Sequence, residues 1–250
     1  MSAYEALAGS YDSLTLDIPY EDMLAYMEAM LHSHGVRPET VLDLACGTGS
    51  LSVLLAKRGY RVLASDLSED MLAVASEKAM ELDNPPFFIC QPMQRLRLPY
   101  TVDWVVCCLD SLNYVTDPAD CREAFRRVYD SLSDGGVFQF DINSEEKLRG
   151  LDGQVFLDEN QDTYCVWRAE FDQEENICYY GIDLFQHQGD LWSRSFEEHR
   201  EYAYTVEQLK GYLREAGFET IEIYGDRSQE PPAAGEQRIY FYAQKGTHHG

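Results

Sequence analysis

The chain has 250 residues, of which 45% are hydrophobic and 12% aromatic, and its formal net charge is -24. This composition excludes a disordered or low-complexity protein and is sufficient for a large core. Because the acidic residues are spread along the whole chain, they repel polyphosphates at long range. Nucleic acids and anionic membranes are therefore disfavoured as partners.

The cysteines and the amino-terminal residues indicate the cellular location of the protein. The seven cysteines lie mostly in apolar runs and include no C-x-x-C pair, which disfavours zinc ribbons and thioredoxin-like redox sites. Reduced, buried thiols of this kind predict a cytoplasmic location. Residues 1–14 lack the features of a signal peptide, and no apolar run is long enough to span a membrane. We expect no membrane association, no metal site and a disordered tail over 246–250.

Hydrophobic periodicity predicts alternating helices and strands over the first part of the chain. An amphipathic helix is predicted over 20–34. Strands are predicted at 40–45, 61–66, 86–91, 102–110 and 137–143, with helices after the first, second and fourth of them. Alternating elements with continuously apolar strands are typical of an α/β fold in which helices cover both faces of a parallel sheet.

The pattern changes after Asn143. Four segments in which aromatic residues alternate with charged ones predict antiparallel strands with one solvated face; they are 154–159, 162–172, 177–188 and 191–202. A helix and two further strands follow. We predict a core of residues 1–144 and 203–245, interrupted by an antiparallel β insertion of residues 145–202. Its place in the chain predicts that the insertion lies over the carboxyl ends of the parallel strands, where ligands bind in such sheets.

A glycine turn between the first strand and its helix carries the strongest functional signal. In VLDLACGTGS (41–50), Gly47 and Gly49 allow a sharp turn and let a ligand lie against main-chain N–H groups. Asp66 ends the second strand, where an acidic residue accepts hydrogen bonds from a ribose diol in nucleoside-binding sheets. The third glycine of dinucleotide-binding loops is absent, and Ser52 stands in its place. The missing glycine therefore disfavours a nicotinamide-dependent oxidoreductase, which stays open as an alternative function.

Asp43, just before the turn, favours a sulfonium and an amino group over a pyrophosphate. The segment DLACGTG (43–49) resembles the first motif of the class I S-adenosylmethionine-dependent methyltransferases, with Ala45 in place of a first glycine. The resemblance implies a Rossmann-like, seven-stranded, mostly parallel sheet with an antiparallel β insertion after strand 5. It also implies methyl transfer from S-adenosylmethionine to a small-molecule acceptor or to a protein side chain. The cofactor-binding residues that it implies are Tyr11, Asp43, Ala45, Gly47, Gly49, Asp66, Leu67, Met71, Gln91, Met93 and Leu109.

No residue is assigned as a general base from the sequence. The candidates are Asp110 and Tyr114 after the fourth strand, and Glu198 and His199 in the insertion. We expect the insertion to line an acceptor pocket with the residues Tyr164, Trp167, Arg168, Phe171, Tyr180, Phe185, Trp192, Arg194 and His199. Two alternatives for its aromatic residues are the core of the sheet itself and a homodimer interface. For the whole chain, a non-catalytic cofactor-binding protein also stays open.

Overall fold

The chain forms two separate β-sheets in a computed structural model that describes residues 18–159 and 162–247. The helices are α1 Tyr20–Ser33, α2 Ser50–Lys57, α3 Glu69–Ala79, α4 Pro118–Ser131, α5 Glu145–Gly150 and α6 Val206–Ala216. The strands are β1 Thr40–Leu44, β2 Arg61–Asp66, β3 Phe87–Cys90, β4 Val102–Cys107, β5 Leu132–Asn143, β6 Val155–Glu159, β7 Thr163–Asp172, β8 Ile177–Gln188, β9 Leu191–Tyr202, β10 Thr220–Tyr224 and β11 Arg238–Gln244.

The larger sheet has seven strands in the order β10-β11-β5-β4-β1-β2-β3. All of its strands run parallel except β11, which pairs antiparallel with both β5 and β10. The smaller sheet is wholly antiparallel, has the order β6-β7-β8-β9 and lies between β5 and α6 in the chain. This architecture confirms the predicted Rossmann-like sheet with an antiparallel addition after its fifth strand.

Helices cover both faces of the larger sheet because its strands carry apolar side chains on both sides. Neighbouring residues of β1 belong to different clusters: Val41 packs with residues of α1 and α2, whereas Leu42 packs with residues of α4 and α6. Every residue of β1 is buried. A strand that is buried on both faces therefore leaves only its carboxyl end for contact with a ligand.

A buried asparagine joins the two sheets beside the end of β4. The Asn113 side-chain amide donates to the carbonyl oxygens of Asn143 and Tyr202, at 3.1 and 3.0 Å. Its Oδ1 accepts from the Asn143 N–H at 3.0 Å. The end of β5, the end of β9 and the segment after β4 are thus held together by one fully buried side chain. This junction fixes the position of the neighbouring Tyr114.

Several sequence predictions need correction or lie outside the described residues. The fourth strand was predicted to extend to Asp110 but ends at Cys107, and helix α5 was not predicted. Within the expected tail, the Gly246 carbonyl oxygen accepts from the Gly135 N–H at 3.3 Å, and 248–250 lie outside the described part. In that part no helix is long and apolar enough to cross a membrane.

Candidate active site

A cavity of about 410 Å³ opens at the carboxyl ends of four adjacent strands, β4, β1, β2 and β3. Its volume is within the range of small-molecule sites. Ten of the residues singled out from the sequence line it: Asp43, Ala45, Gly47, Asp66, Leu67, Met71, Gln91, Met93, Leu109 and Tyr114. Gly49, Asp110 and His199 are not on its wall, and Tyr11 lies outside the described residues.

The turn after β1 places main-chain atoms on the cavity wall. Ala45 and Gly47 both have left-handed backbones, with φ of 60° and 54°. The Gly47 N–H donates to Asp66 Oδ2 at 2.8 Å, which ties the β1 turn to the end of β2. A Cβ added at Gly47 would meet no atom within 4 Å. The cavity therefore borders bare backbone at this glycine.

Gly49 serves a different purpose from Gly47. Its φ is 73°, and a Cβ added there would lie 2.8 Å from the Cβ of Ala75 in α3. Helix α2 begins at this point, so the glycine lets the start of α2 approach α3 closely. Conformation and packing account for Gly49 without a ligand.

Two carboxyl groups lie on the cavity wall, of which Asp43 is buried and Asp66 is half-buried. Asp66 accepts from the N–H groups of Gly47 and Ser68, and burial raises the pKa of its carboxyl group. Asp43 accepts from the Ser52 hydroxyl at 2.5 Å. Burial, reinforced by the neighbouring Asp66, raises the pKa of Asp43 to about 7, although the Ser52 bond opposes the shift. A cationic ligand would relieve the cost of ionising both groups in a small volume.

Beyond β4 the backbone makes an unusual turn. Leu109 and Asp110 both have positive φ, at 57° and 54°, a conformation that is costly for residues with side chains. The buried Asp141 carboxylate accepts from both of their N–H groups, at 2.8 and 3.1 Å. Arg238 of β11 pairs with Asp141 and, at 2.7 Å, with the Asp110 carboxylate. Asp110, a candidate base from the sequence, therefore forms an ion pair that stabilises the turn.

The structure brings two other catalytic candidates together. Tyr114 lines the cavity, and its hydroxyl lies 3.2 Å from Nδ1 of His199. Nε2 of His199 is 2.9 Å from the Glu197 carboxylate. Sequence reasoning missed Glu197 and named Glu198, which lies on the opposite face of β9 and bonds Arg200 at 2.6 Å. The alternation of side chains along a strand, which places 197 and 199 on one face, was the signal that could have found Glu197.

The rest of the insertion makes less contact with the cavity than expected. None of its residues lines the cavity wall. Arg168 and Arg194, which were expected to contact an acceptor, both form ion pairs with the buried Asp183. In β9 Arg194 is five residues from His199, so the two side chains occupy opposite faces of the smaller sheet. The insertion reaches the cavity through the contact of His199 with Tyr114.

Comparisons with known proteins agree with this geometry. A family model described as "Methyltransferase domain" matches residues 41–136. The chain is 32% identical to "Putative methyltransferase YqeM" of Bacillus subtilis (strain 168) over 244 residues, 97% of each chain. A solved S-adenosylmethionine-dependent methyltransferase from Clostridium acetobutylicum ATCC 824 superposes with a TM-score of 0.87 at 30% identity, covering 98% of this chain and 100% of that one. The chain belongs to the class I S-adenosylmethionine-dependent methyltransferases.

A more distant methyltransferase shows that the shared fold includes the insertion. CalS10 from Micromonospora echinaspora, described as an amino pentose methyltransferase with bound S-adenosylmethionine, superposes with a TM-score of 0.76. Its identity is 20%, and the match covers 98% of this chain and 97% of CalS10. A match of that extent takes in the smaller sheet as well as the larger one. At this identity the likeness concerns the fold alone.

The cofactor of this methyltransferase is S-adenosylmethionine, and the residues of the cavity suit it. The cofactor carries a sulfonium and an amino group, and the cavity offers the carboxyl groups of Asp43 and Asp66. The Ser65 hydroxyl is buried on the cavity wall and has no hydrogen-bond partner among the described residues. Such a group is available to a polar ligand.

Proposed function

We propose that this methyltransferase transfers the methyl group of S-adenosylmethionine to a small-molecule acceptor that carries an N–H or O–H group. One observation carries the proposal: Asp43, Asp66 and Tyr114 all line the same cavity. Asp43 and Asp66 suit the cofactor, and Tyr114 carries a hydroxyl that is able to hydrogen-bond an acceptor. CalS10, of which 97% is covered by the match, is described as an amino pentose methyltransferase, and this likeness supports a small acceptor.

We assign the cofactor-binding roles from the cavity wall and the family resemblance together. Asp66 accepts hydrogen bonds from the ribose hydroxyls, and Asp43 with the 45–47 turn holds the methionine part. The adenine lies among apolar side chains. The residues assigned to the adenine are Leu67, Met71 and Met93, with Gln91 at its edge. Leu109, at the strained turn, lies beside the methyl group. Tyr11 stays a sequence prediction.

We further propose that residues 145–202 form the acceptor side of the enzyme. Supporting this division, the smaller sheet shares no strand pairing with the larger one among the described residues. The contact of His199 with Tyr114 brings the smaller sheet to the acceptor end of the cavity. A protein side chain is the alternative acceptor, and it would have to thread into a cavity walled by the turns after four strands.

A homodimer is a separate proposal that rests on the surface of the insertion. The large apolar side chains exposed on the smaller sheet are Val155, Phe156, Leu157, Leu191, Trp192 and Phe196. These residues lie on β6 and β9, the two edge strands of the smaller sheet, and an exposed apolar edge strand can pair with a second chain. Light scattering after size-exclusion chromatography tests the dimer, which a mass of one chain would contradict.

The seven free thiols support a reducing, cytoplasmic environment for the enzyme.

Calorimetry with S-adenosylhomocysteine tests the cofactor assignment. Because charge-assisted hydrogen bonds to the ribose are lost, we expect Asp66→Ala to weaken binding by about 1.5–3 kcal/mol, roughly ten- to a hundredfold. Asp70→Ala, at an exposed position of α3, is the matched control. Unchanged affinity in a folded Asp66→Ala protein would contradict the assignment.

Methyl-labelled S-adenosylmethionine tests the acceptor class. Incubation with a panel of small amines, amino sugars and phenols should place the label on at least one small molecule. A parallel incubation with cell protein in place of the panel tests the alternative of a protein side-chain acceptor. Label found on protein alone would overturn the small-molecule proposal and favour a side-chain acceptor.

A further inference from the structure

We propose that Tyr114, His199 and Glu197 form a proton relay that runs from the acceptor end of the cavity to a buried carboxylate. Tyr114 belongs to the segment after β4, whereas His199 and Glu197 belong to β9 of the insertion. The relay therefore spans the junction between the two sheets. This inference rests on the proposed function, because it needs an acceptor whose proton must leave.

The hydrogen-bond partners select one tautomer of His199. A carboxylate only accepts hydrogen bonds, so Nε2 of His199, 2.9 Å from Glu197 Oε2, carries the proton of the neutral ring. Nδ1 then has a lone pair and accepts from the Tyr114 hydroxyl at 3.2 Å. The Tyr114 proton thus points towards His199, and the phenolic oxygen of this cavity-lining residue can still accept a hydrogen bond.

Burial shows that this arrangement is unusual for a surface sheet. The His199 side chain is 1% exposed and the Glu197 side chain 9%. Tyr180 of β8, which pairs with His199, and Glu201 face the same side of the sheet. Apolar residues would fill the position without the cost of desolvating an imidazole and a carboxylate. Buried titratable pairs that adjoin a cavity are typical of sites that move protons.

The chemistry of methyl transfer provides the task for the relay. The bound cofactor supplies an electrophilic methyl group, and the departing sulfur keeps the electron pair of the broken C–S bond. When an acceptor hydroxyl forms its new bond to carbon, its O–H bond breaks. An amine that is protonated near neutral pH must lose a proton before its nitrogen has a lone pair for the attack. Tyr114 takes that proton while its own proton passes to Nδ1 of His199, and the imidazolium is stabilised by Glu197. The proton leaves to solvent after the product departs.

The roles of the three residues differ. Tyr114 contacts the acceptor and is the catalytic residue of the proposal. His199 and Glu197 act through it and are positioning residues. Glu198, the neighbour on the other face of β9, bonds Arg200 and gives a matched control for Glu197.

Histidine NMR tests the relay without an acceptor. Long-range ¹H–¹⁵N spectra of ¹⁵N-histidine-labelled protein with bound S-adenosylhomocysteine report the tautomer, and His199→Gln assigns the resonance among the six histidines. We expect Nε2 of His199 to carry a proton and Nδ1 to accept a hydrogen bond. Its Nδ1 resonance should move in Tyr114→Phe and stay in place in Glu198→Gln. A ring protonated at Nδ1, or an Nδ1 resonance whose position does not change in Tyr114→Phe, would overturn the relay.

Kinetics with a compound labelled in the acceptor panel tests the catalytic role. We expect Tyr114→Phe to lower kcat at least about a hundredfold and Glu197→Gln about tenfold, while the acceptor KM and the S-adenosylhomocysteine Kd change less than about twofold. Glu198→Gln should match the unmodified enzyme. Full kcat in Tyr114→Phe would refute the relay and leave the proposed function intact. If label is found on protein alone, the acceptor class is wrong, and the NMR result alone decides the relay.

Discussion

At the scale of single residues, the proposed role of Asp43 predicts that cofactor binding depends on pH. Burial, with Asp66 close by, raises its pKa to about 7. A cofactor that carries positive charge binds the ionised form better, so affinity should rise as pH increases from 6 to 8. The expected change is at most about tenfold per pH unit below pH 7. Asp43→Asn should remove this part of the dependence. Calorimetry at pH 6, 7 and 8 measures it, and parallel profiles for the two proteins would exclude Asp43 as the cause.

The two glycines of the turn should fail in different ways. Gly47→Ala and Gly49→Ala each place a side chain at positive φ, at a cost of about 1–2 kcal/mol. In Gly49→Ala the new methyl group also collides with Ala75, which adds about 1–3 kcal/mol. We expect the larger loss of stability in Gly49→Ala and the larger loss of cofactor affinity in Gly47→Ala. Urea unfolding and calorimetry on both variants separate the two effects, and equal losses in both measurements would contradict the division of roles.

At the scale of elements, β9 ends in a buried acid that makes the junction sensitive to pH. Glu201 accepts from the Asn143 amide at 2.8 Å, and burial, with Asp110 adding to it, raises its pKa to about 8. Between its ordinary pKa and about 8, the folded protein binds a proton that the unfolded chain releases. Stability should therefore fall as pH rises through this window, by on the order of 1.4 kcal/mol per pH unit.

Thermal unfolding between pH 5 and pH 9 checks this expectation. Glu201→Gln, which resembles the protonated acid, should lose less stability than the unmodified protein towards pH 9. Glu198→Gln, at a half-exposed position on the same strand, should follow the unmodified protein. If Glu201→Gln shows the same decline, another group is responsible.

The elements were largely predictable, but the contacts between them were not. Apolar strands and the glycine turn located the larger sheet and the cavity, because those patterns are local in the chain. The assignment of Asp110 as a candidate base overlooked Arg238, which is 128 residues away and occupies that carboxylate. Glu197 was missed because its importance depends on the contact of His199 with Tyr114, 85 residues apart. Only the folded chain shows such pairings.

At the scale of the whole molecule, net charge should limit stability. A formal charge of -24 makes the compact state repel itself, and salt screens that repulsion over about 10 Å at 0.1 M. We expect the Tm to rise by a few degrees between about 20 and 200 mM NaCl. Tetramethylammonium chloride, a poor ligand for carboxylates, should give the same increase if screening is the cause. A Tm that falls or stays constant in both salts would contradict the expectation.

The position of β11 sets a time at which the enzyme can become competent. This strand follows every other strand of its sheet in the chain, yet it lies between β5 and β10. Until β11 joins the sheet, Asp141 lacks its ion pair with Arg238. The unfavourable positive φ of Leu109 then has to be stabilised without that ion pair. At typical rates of translation, the ribosome needs on the order of ten seconds to proceed from β4 to β11. A nascent chain can therefore display its cofactor turn early, whereas the methyl-transfer centre should mature only when the strand synthesised last is inserted between β5 and β10.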